Sequence, residues 1–382
     1  MKKLMFVYFI LLVLFSYSVC SLPDFEIGFT SSLDKVFFED EIEFDGDLVN
    51  HSEIYLAKNE YEAIQFVIFP KVDMKNVELL VSDFTSDTNI ISSSDINIQV
   101  IGYVSLADNR FNENRVGWYP DPVLPNQQLN LTKDILQPYL ITVYAKDDLV
   151  AGDYIGKIKL KFEDNQEFEY NLTIHVWDFV LPKVSKFKTA TFFSWDTIRS
   201  MWKPWETKTR QDAKSIFYDI AKLSFRNKLQ PVIGMVSGYE CWQNNVYLNY
   251  PTYDEQDNFD SSLVEEFIDF FIEQGANHFY IARLCDMVKY PNTKNHLTNY
   301  LTKYEEYLES RDLLDMVYLY NLDEPWGTSI NHCKYNYNYI KDITQNMEMM
   351  QNTNRNDNSV LNDFLDHFDA IDINLGFHDI NE

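Results

Sequence analysis

Apolar and polar residues alternate through the first half of the chain. In EFEYNLTIHVWDF, Phe168, Tyr170, Leu172, Ile174 and Val176 fall on one face of an extended segment, and Glu169, Asn171 and Thr173 on the other. In GKIKLKF, Ile158, Leu160 and Phe162 face one way while Lys157, Lys159 and Lys161 face the other. Similar β-rich runs cover Val36–Phe44, Ala63–Phe69, Val77–Val81, Ile96–Val104, Tyr139–Ala145, Tyr154–Phe162 and Phe168–Phe179. Turn residues separate them, as in Ala151-Gly152-Asp153 and Asp164-Asn165. About seven strands with one apolar face each predict a β-sandwich over residues 22–182. No catalytic constellation falls inside it, which fits a structural or docking module.

The pattern changes after Leu181-Pro182 and the Lys/Ser-rich stretch Lys183–Lys188, which reads as a linker. Short apolar runs at Ala190–Trp195, Pro231–Val236, His278–Leu284, Met316–Leu322, Met347–Gln351 and Ala370–Leu375 predict strands. Helical stretches over Thr207–Asn227, Ser261–Gln274, Asn295–Ser310, Ser329–Gln345 and Val360–Phe368 alternate with them, and Gly275 stops the second. Such alternation points to a (β/α)8-type barrel or an open doubly wound sheet over residues 183–382. The Gly-rich phosphate turn of a dinucleotide-binding sheet is missing, which favours the barrel. The fold class is therefore multidomain, β followed by α/β. Only about six of the eight strands of a closed barrel are counted, so the domain is expected to be incomplete or to close in another way.

Composition narrows the partners. The chain of 382 residues carries 32 Lys+Arg against 59 Asp+Glu, a net charge of −27 with no basic stripe to offset it. Such a surface repels phosphate backbones, so a nucleic-acid partner is excluded. Lys2 and Lys3 precede an apolar run from Leu4 to about Leu14, and small residues follow at Ser18 and Ser21. This is the pattern of a secretory signal peptide over residues 1–21, which touches the membrane only transiently. A membrane anchor is the competing reading, but the run is barely long enough to span and no stop-transfer signal follows. Lipoprotein attachment at Cys20 is disfavoured by Val19 before it. Sequons at Asn50, Asn130 and Asn171 predict N-glycosylation of a secreted protein, or of one in a lysosome-like compartment. Cys241, Cys285 and Cys333 form no disulfide framework; one bridge with one thiol and three buried thiols both remain open.

The candidate chemistry lies in Met316–Trp326, MVYLYNLDEPW, where an apolar run ends in Asp323, Glu324, Pro325 and Trp326. Pro325 can neither donate to a ladder nor continue a strand, so both acids sit where the strand stops. In α/β barrels that end of the strands carries the chemistry. Acids before a proline also mark helix beginnings, and that structural reading competes. Adjacent residues of a pleated strand point to opposite faces, so both acids reach one site only if regularity breaks there. No Walker motif or metal-ligand spacing is found, and GMVSG at Gly234–Gly238 is spaced wrongly for a nucleophile elbow. No cofactor is called for.

Several segments resemble glycoside hydrolase family 123. LAKNEYEAIQFVIFP (Leu56–Pro70), GWYPDPVLP (Gly117–Pro125), AGDYIGKIKL (Ala151–Leu160) and WDFVLP (Trp177–Pro182) are similar to its amino-terminal domain. YLYNLDEPW is similar to its catalytic fourth strand, and the sequence up to Leu375 resembles strands five and six. The resemblance implies a β-sandwich ahead of a (β/α) barrel, and a β-N-acetylgalactosaminidase acting on a glycan or glycoconjugate. It also implies substrate assistance, in which the acetamido oxygen attacks its own anomeric carbon in place of a protein nucleophile. Asp323 would then orient the acetamido N–H and stabilise the developing charge. Glu324 would protonate the leaving oxygen and later deprotonate water, and a neighbouring carboxylate raises its pKa for that task.

Trp195, Tyr239, Trp242 and Trp326 are candidate platforms for the sugar's apolar face, with core or loop packing the alternative for each. Arg283, Asn321, Asn352 and Asn354 are candidate hydroxyl partners, with strand-end capping the alternative. Against the enzyme stand two other readings: a non-catalytic carbohydrate-binding or structural glycoprotein, and an inactive fragment of a longer glycosidase.

Overall fold

The computed structural model describes residues 24–38, 44–87, 89–106, 117–163, 166–189, 191–193, 210–233, 252–253, 259–281, 291–320, 325, 327, 329–353 and 368–373. Strands dominate and helices are few. The chain divides into two compact units, Met1–Leu181 and Pro182–Glu382.

The first unit holds β1 (Phe25–Ser31), β2 (His51–Lys58), β3 (Glu60–Pro70), β4 (Met74–Val81), β5 (Phe84–Ser86), β6 (Asn89–Ile91), β7 (Ile96–Leu106), β8 (Gly117–Pro125), β9 (Leu129–Leu131), β10 (Gln137–Ala145), β11 (Gly152–Lys161) and β12 (Glu167–Val180). One sheet runs β1-β3-β10-β7-β8 and the other β2-β12-β11-β4-β9, with β5 and β6 attached through β11. All pairs are antiparallel except β2 with β12. Both sheets turn one face into a common core, where Phe66, Tyr139 and Ile141 of the first meet Leu79, Tyr154, Leu160 and Leu172 of the second.

The alternation read from β11 and β12 holds residue by residue. Ile158, Leu160, Leu172 and Ile174 are fully buried, while Lys157, Glu169 and Asn171 are exposed. Asn59, at φ 60°, makes the turn by which the chain crosses from β2 in one sheet to β3 in the other, a conformation asparagine tolerates better than most residues. Its side chain ties the corner down, donating to the Leu181 carbonyl at 2.7 Å and accepting from the Tyr144 hydroxyl at 3.1 Å. The edge strand β8 carries Pro120, Pro122 and Pro125, which deny an incoming strand its hydrogen bonds.

One expected strand fails. Of Val36–Phe44, the described residues Val36, Phe37, Phe38 and Phe44 are not in a strand. Their apolar side chains serve loop packing instead: Val36 joins a small core with Val67, Phe69 and Leu136, against which Phe44 packs. The first strand among the described residues is Phe25–Ser31, and it, β2, β5, β6, β8 and β9 fall outside the expected strands.

The second unit contains β13 (Thr191–Phe193), β14 (Pro231–Ile233), β15 (Thr252–Tyr253), β16 (Phe259–Asp260), β17 (Phe279–Ile281), β18 (Val317–Tyr320), β19 (Glu348–Thr353) and β20 (Ala370–Ile373). Its helices are α1 (Arg210–Arg226), α2 (Ser262–Gln274), α3 (Pro291–Ser310) and α4 (Ser329–Lys341). Strands β17-β18-β19-β20 form a parallel sheet, β13 and β14 a parallel pair, and β14 approaches β17. Val317, Leu319 and Met349 are buried among Phe267 and Phe271 of α2 and Leu301, Tyr304 and Leu308 of α3. Gly275 ends α2 at φ 105°, its N–H donating to the Phe271 and Ile272 carbonyls. The helix expected at Val360–Phe368 lies outside the described residues except for Phe368, which is buried and not helical.

Residues 183–188, a linker by composition, are bonded into this unit at the amino ends of its strands. Lys183 Nζ donates to the Glu273 carbonyl at 2.6 Å, and Asn277 Nδ2 donates to the Ser185 and Phe187 carbonyls. Lys188 Nζ donates to the Tyr318 hydroxyl at 2.8 Å. His278 is buried beside them, and burial, with the Lys188 charge nearby, pushes its pKa down to about 4.

Candidate active site

Parallel strands send their carboxyl ends to one edge, and the loops leaving that edge hold the chain free of ladder hydrogen bonds. The register fixes which residues stand there. Leu319 of β18 pairs with Ile281 of β17 and Met349 of β19, and Tyr320 pairs with Met350. Asn352 and Thr353 close β19, opposite Asp372 and Ile373.

The sequence candidates follow these ends in order. Trp195 comes after β13, Tyr239 and Trp242 after β14, and Arg283 after β17. Asn321, Asp323, Glu324 and Trp326 come after β18, and Asn354 after β19. These nine residues lie outside the described residues, and Asn352 is placed only as part of β19. The described part of strand β18 runs to Tyr320, and both acids follow it in the chain.

The residues around the acids bear on the competing helix-start reading. Pro325 is buried and not helical, and Gly327 is in the left-handed region at φ 56°. Helix α4 begins only at Ser329 and has no acid in its first turn. A Cβ at Gly327 would meet nothing within 4 Å, so glycine is there for its backbone freedom and not for want of space.

The three sequon asparagines are exposed on the first unit. Asn171 pairs with His51 and its N–H donates to the Asn50 carbonyl at 3.3 Å, so two sequons adjoin. Asn130 Oδ1 accepts from the Asn76 N–H at 3.1 Å. Of the cysteines, Cys333 is fully buried in α4; Cys241 and Cys285 lie outside the described residues. Among the described residues no cluster of His, Cys, Asp or Glu is disposed to hold a metal ion, and no helix is long and apolar enough to cross a membrane.

Comparison with known structures identifies the fold class. The chain superposes on a family 123 glycoside hydrolase from Clostridium perfringens, described for glycolipid glycan hydrolysis. The match has a TM-score of 0.70 and 18% identity over 94% of this chain and 68% of that one. At that identity the likeness shows a family 123-like fold. Two other matches superpose too poorly to bear on it. One is a Bacteroides ovatus GH5 xyloglucanase, with TM-score 0.27 and 10% identity over 85% of this chain and 69% of that one. The other is a Niemann-Pick type C2 protein from Japanese carpenter ant, with TM-score 0.18 and 14% identity over 31% of this chain and 78% of that one. No family model matches the sequence, and no curated protein matches it at a significant level.

Proposed function

We propose that this protein is a secreted glycoside hydrolase that removes terminal β-linked N-acetylgalactosamine, built as a β-sandwich followed by a (β/α) barrel. The observation that carries the reading is the superposition of 94% of the chain on a family 123 glycan hydrolase. The Asp323-Glu324 pair supports it by its place in the sequence, directly after a parallel strand, where such enzymes carry their chemistry.

In the proposed reaction the substrate's acetamido oxygen bonds to the anomeric carbon as the bond to the aglycone oxygen breaks. Glu324 gives its proton to that departing oxygen. Asp323 accepts the acetamido N–H and balances the charge of the oxazolinium formed. Water then adds to the anomeric carbon and returns a proton to Glu324, reopening the ring with retention. Trp195, Tyr239, Trp242 and Trp326 supply the stacking faces, and Arg283, Asn321, Asn352 and Asn354 the hydroxyl partners.

Release of nitrophenol from an aryl β-N-acetylgalactosaminide tests the proposal. Glu324→Gln and Asp323→Asn should each slow turnover by about 10²–10⁴-fold without unfolding the protein. Unchanged rates in either variant overturn the roles, and rapid cleavage of a glycoside lacking the acetamido group overturns substrate assistance. For export, Asn50, Asn130 and Asn171 should carry glycan in a glycosylating host, read as a mass loss on glycosidase digestion.

A further inference from the structure

The outward face of the β2-β12-β11 sheet has two unlike halves. At one end it is an ion ladder. Lys157 pairs with Glu169, and Lys159 lies 3.3 Å from Glu167 and 3.2 Å from Glu169. Toward the other end the same face turns aromatic, through Tyr55 of β2 and His175, Trp177 and Phe179 of β12.

These rings form a contiguous row. Tyr55 stacks on His175 at 4.3 Å and 14°, stands 6.5 Å from Trp177, and Trp177 stacks on Phe179 at 5.6 Å. Phe66, Phe84 and Tyr154 elsewhere in the unit are fully covered; Tyr55, Trp177 and Phe179 are each 49% exposed, as Trp118 of β8 is at 45%. Among the described residues β2 ends its sheet, and no further described strand of that sheet covers the side of Tyr55 turned away from His175.

The polar groups along the row are hydrogen-bonded carboxylates. Tyr55 donates to Glu53 Oε2 at 2.8 Å, and His175 Nδ1 lies 2.7 Å from Asp153 Oδ1. Lys58 is already engaged by Asp178 at 2.8 Å. This acidic rim repels phosphate polymers and anionic lipid, and a second copy would set one chain of net charge −27 against another. An uncharged ligand that offers C–H faces to rings and hydroxyls to carboxylates meets no such repulsion.

We infer that Tyr55, His175, Trp177 and Phe179, flanked by Glu53 and Asp153, form a second, non-catalytic binding surface for a neutral oligosaccharide. The row extends past a single ring contact, so a short chain fits it better than a monosaccharide. The inference does not rest on the proposed hydrolase activity.

Calorimetric titration of the full-length protein with chitotetraose and with cellotetraose tests it, each repeated with excess free N-acetylgalactosamine. At least one probe should bind and resist that competitor. Trp177→Ala/Phe179→Ala should weaken it by about tenfold or more, and Trp177→Phe should recover part of the loss. The double variant should hydrolyse the aryl β-N-acetylgalactosaminide at the unaltered rate. Binding of neither probe, binding undiminished in the double variant, or full displacement by N-acetylgalactosamine overturns the inference. So does a dimer on gel filtration that the double variant dissociates, because a second copy then covers the face. Failure of hydrolysis in wild type and variant alike removes the enzyme reading and leaves the binding result standing.

Discussion

The two units bury their strands in opposite ways. In the first, antiparallel strands such as β11 and β12 hide one face and wet the other, and every second residue states its side. In the second, short parallel strands such as β18 lie among helices, and Val317, Leu319 and Tyr320 are all buried. The first unit therefore has a free sheet face on which charge and aromatic rows can be laid out. The second keeps its freedom at strand ends, where the loops begin.

Core truncation gives the largest effect by which this contrast can be broken. Leu160 in β11 and Leu319 in β18 have no exposed surface, and changing either to alanine should cost about 2–5 kcal/mol. Hydrogen exchange resolved by strand should place each loss in its own unit; equal loss of protection in both would mean one cooperative core.

Acid should separate the units next. His278 has its pKa pushed down to about 4 from an ordinary 6.5 by burial. The unfolded chain takes that proton first, so the stability tied to neutral His278 is whole above pH 6.5 and is lost as pH falls through about 4. The full loss is about 3 kcal/mol, confined to the second unit. In the first unit, hydrogen bonds hold carboxyls low, from Tyr55 to Glu53, from the Ser93 backbone to Asp83, from Lys157 to Glu169 and from Lys58 to Asp178. Their contribution is present above the ordinary carboxylate range and is lost only at lower pH. Urea titrations across pH 7 to 4 should therefore weaken β17 and β18 ahead of β11 and β12, and His278→Asn should flatten the difference.

The smallest effect is expected on the ion ladder. Lys159→Ala should leave stability nearly unchanged, and still less affected in high salt, because its ion pairs face solvent. A larger loss would mean that the charged half of the face is structural.

What could be read from sequence follows the same division. Strands with one wet face announced themselves through period two, down to the outward placement of Asn171. At the described ends of Val36–Phe44 the expected strand gives way to a loop packed by Val36 and Phe44, and period alone does not separate loop packing from a ladder. Strands β1 and β2 were passed over although both lie in the sheets. The aromatic row has no local signature, because Tyr55 and His175 are far apart in the chain and become neighbours only through the parallel β2–β12 pairing.

The sequence alone determined the residue types, the strand–helix alternation and the place of Asp323 and Glu324 after an apolar run, since these depend on local periodicity and on proline. Only the tertiary structure decided that α4 starts beyond Pro325, that residues 183–188 are bonded into the second unit, and that Tyr55 of β2 joins the three rings of β12 on one face. The physical reason is register: hydrogen-bonded pairing between distant segments sets which side chains meet, and no local pattern records it.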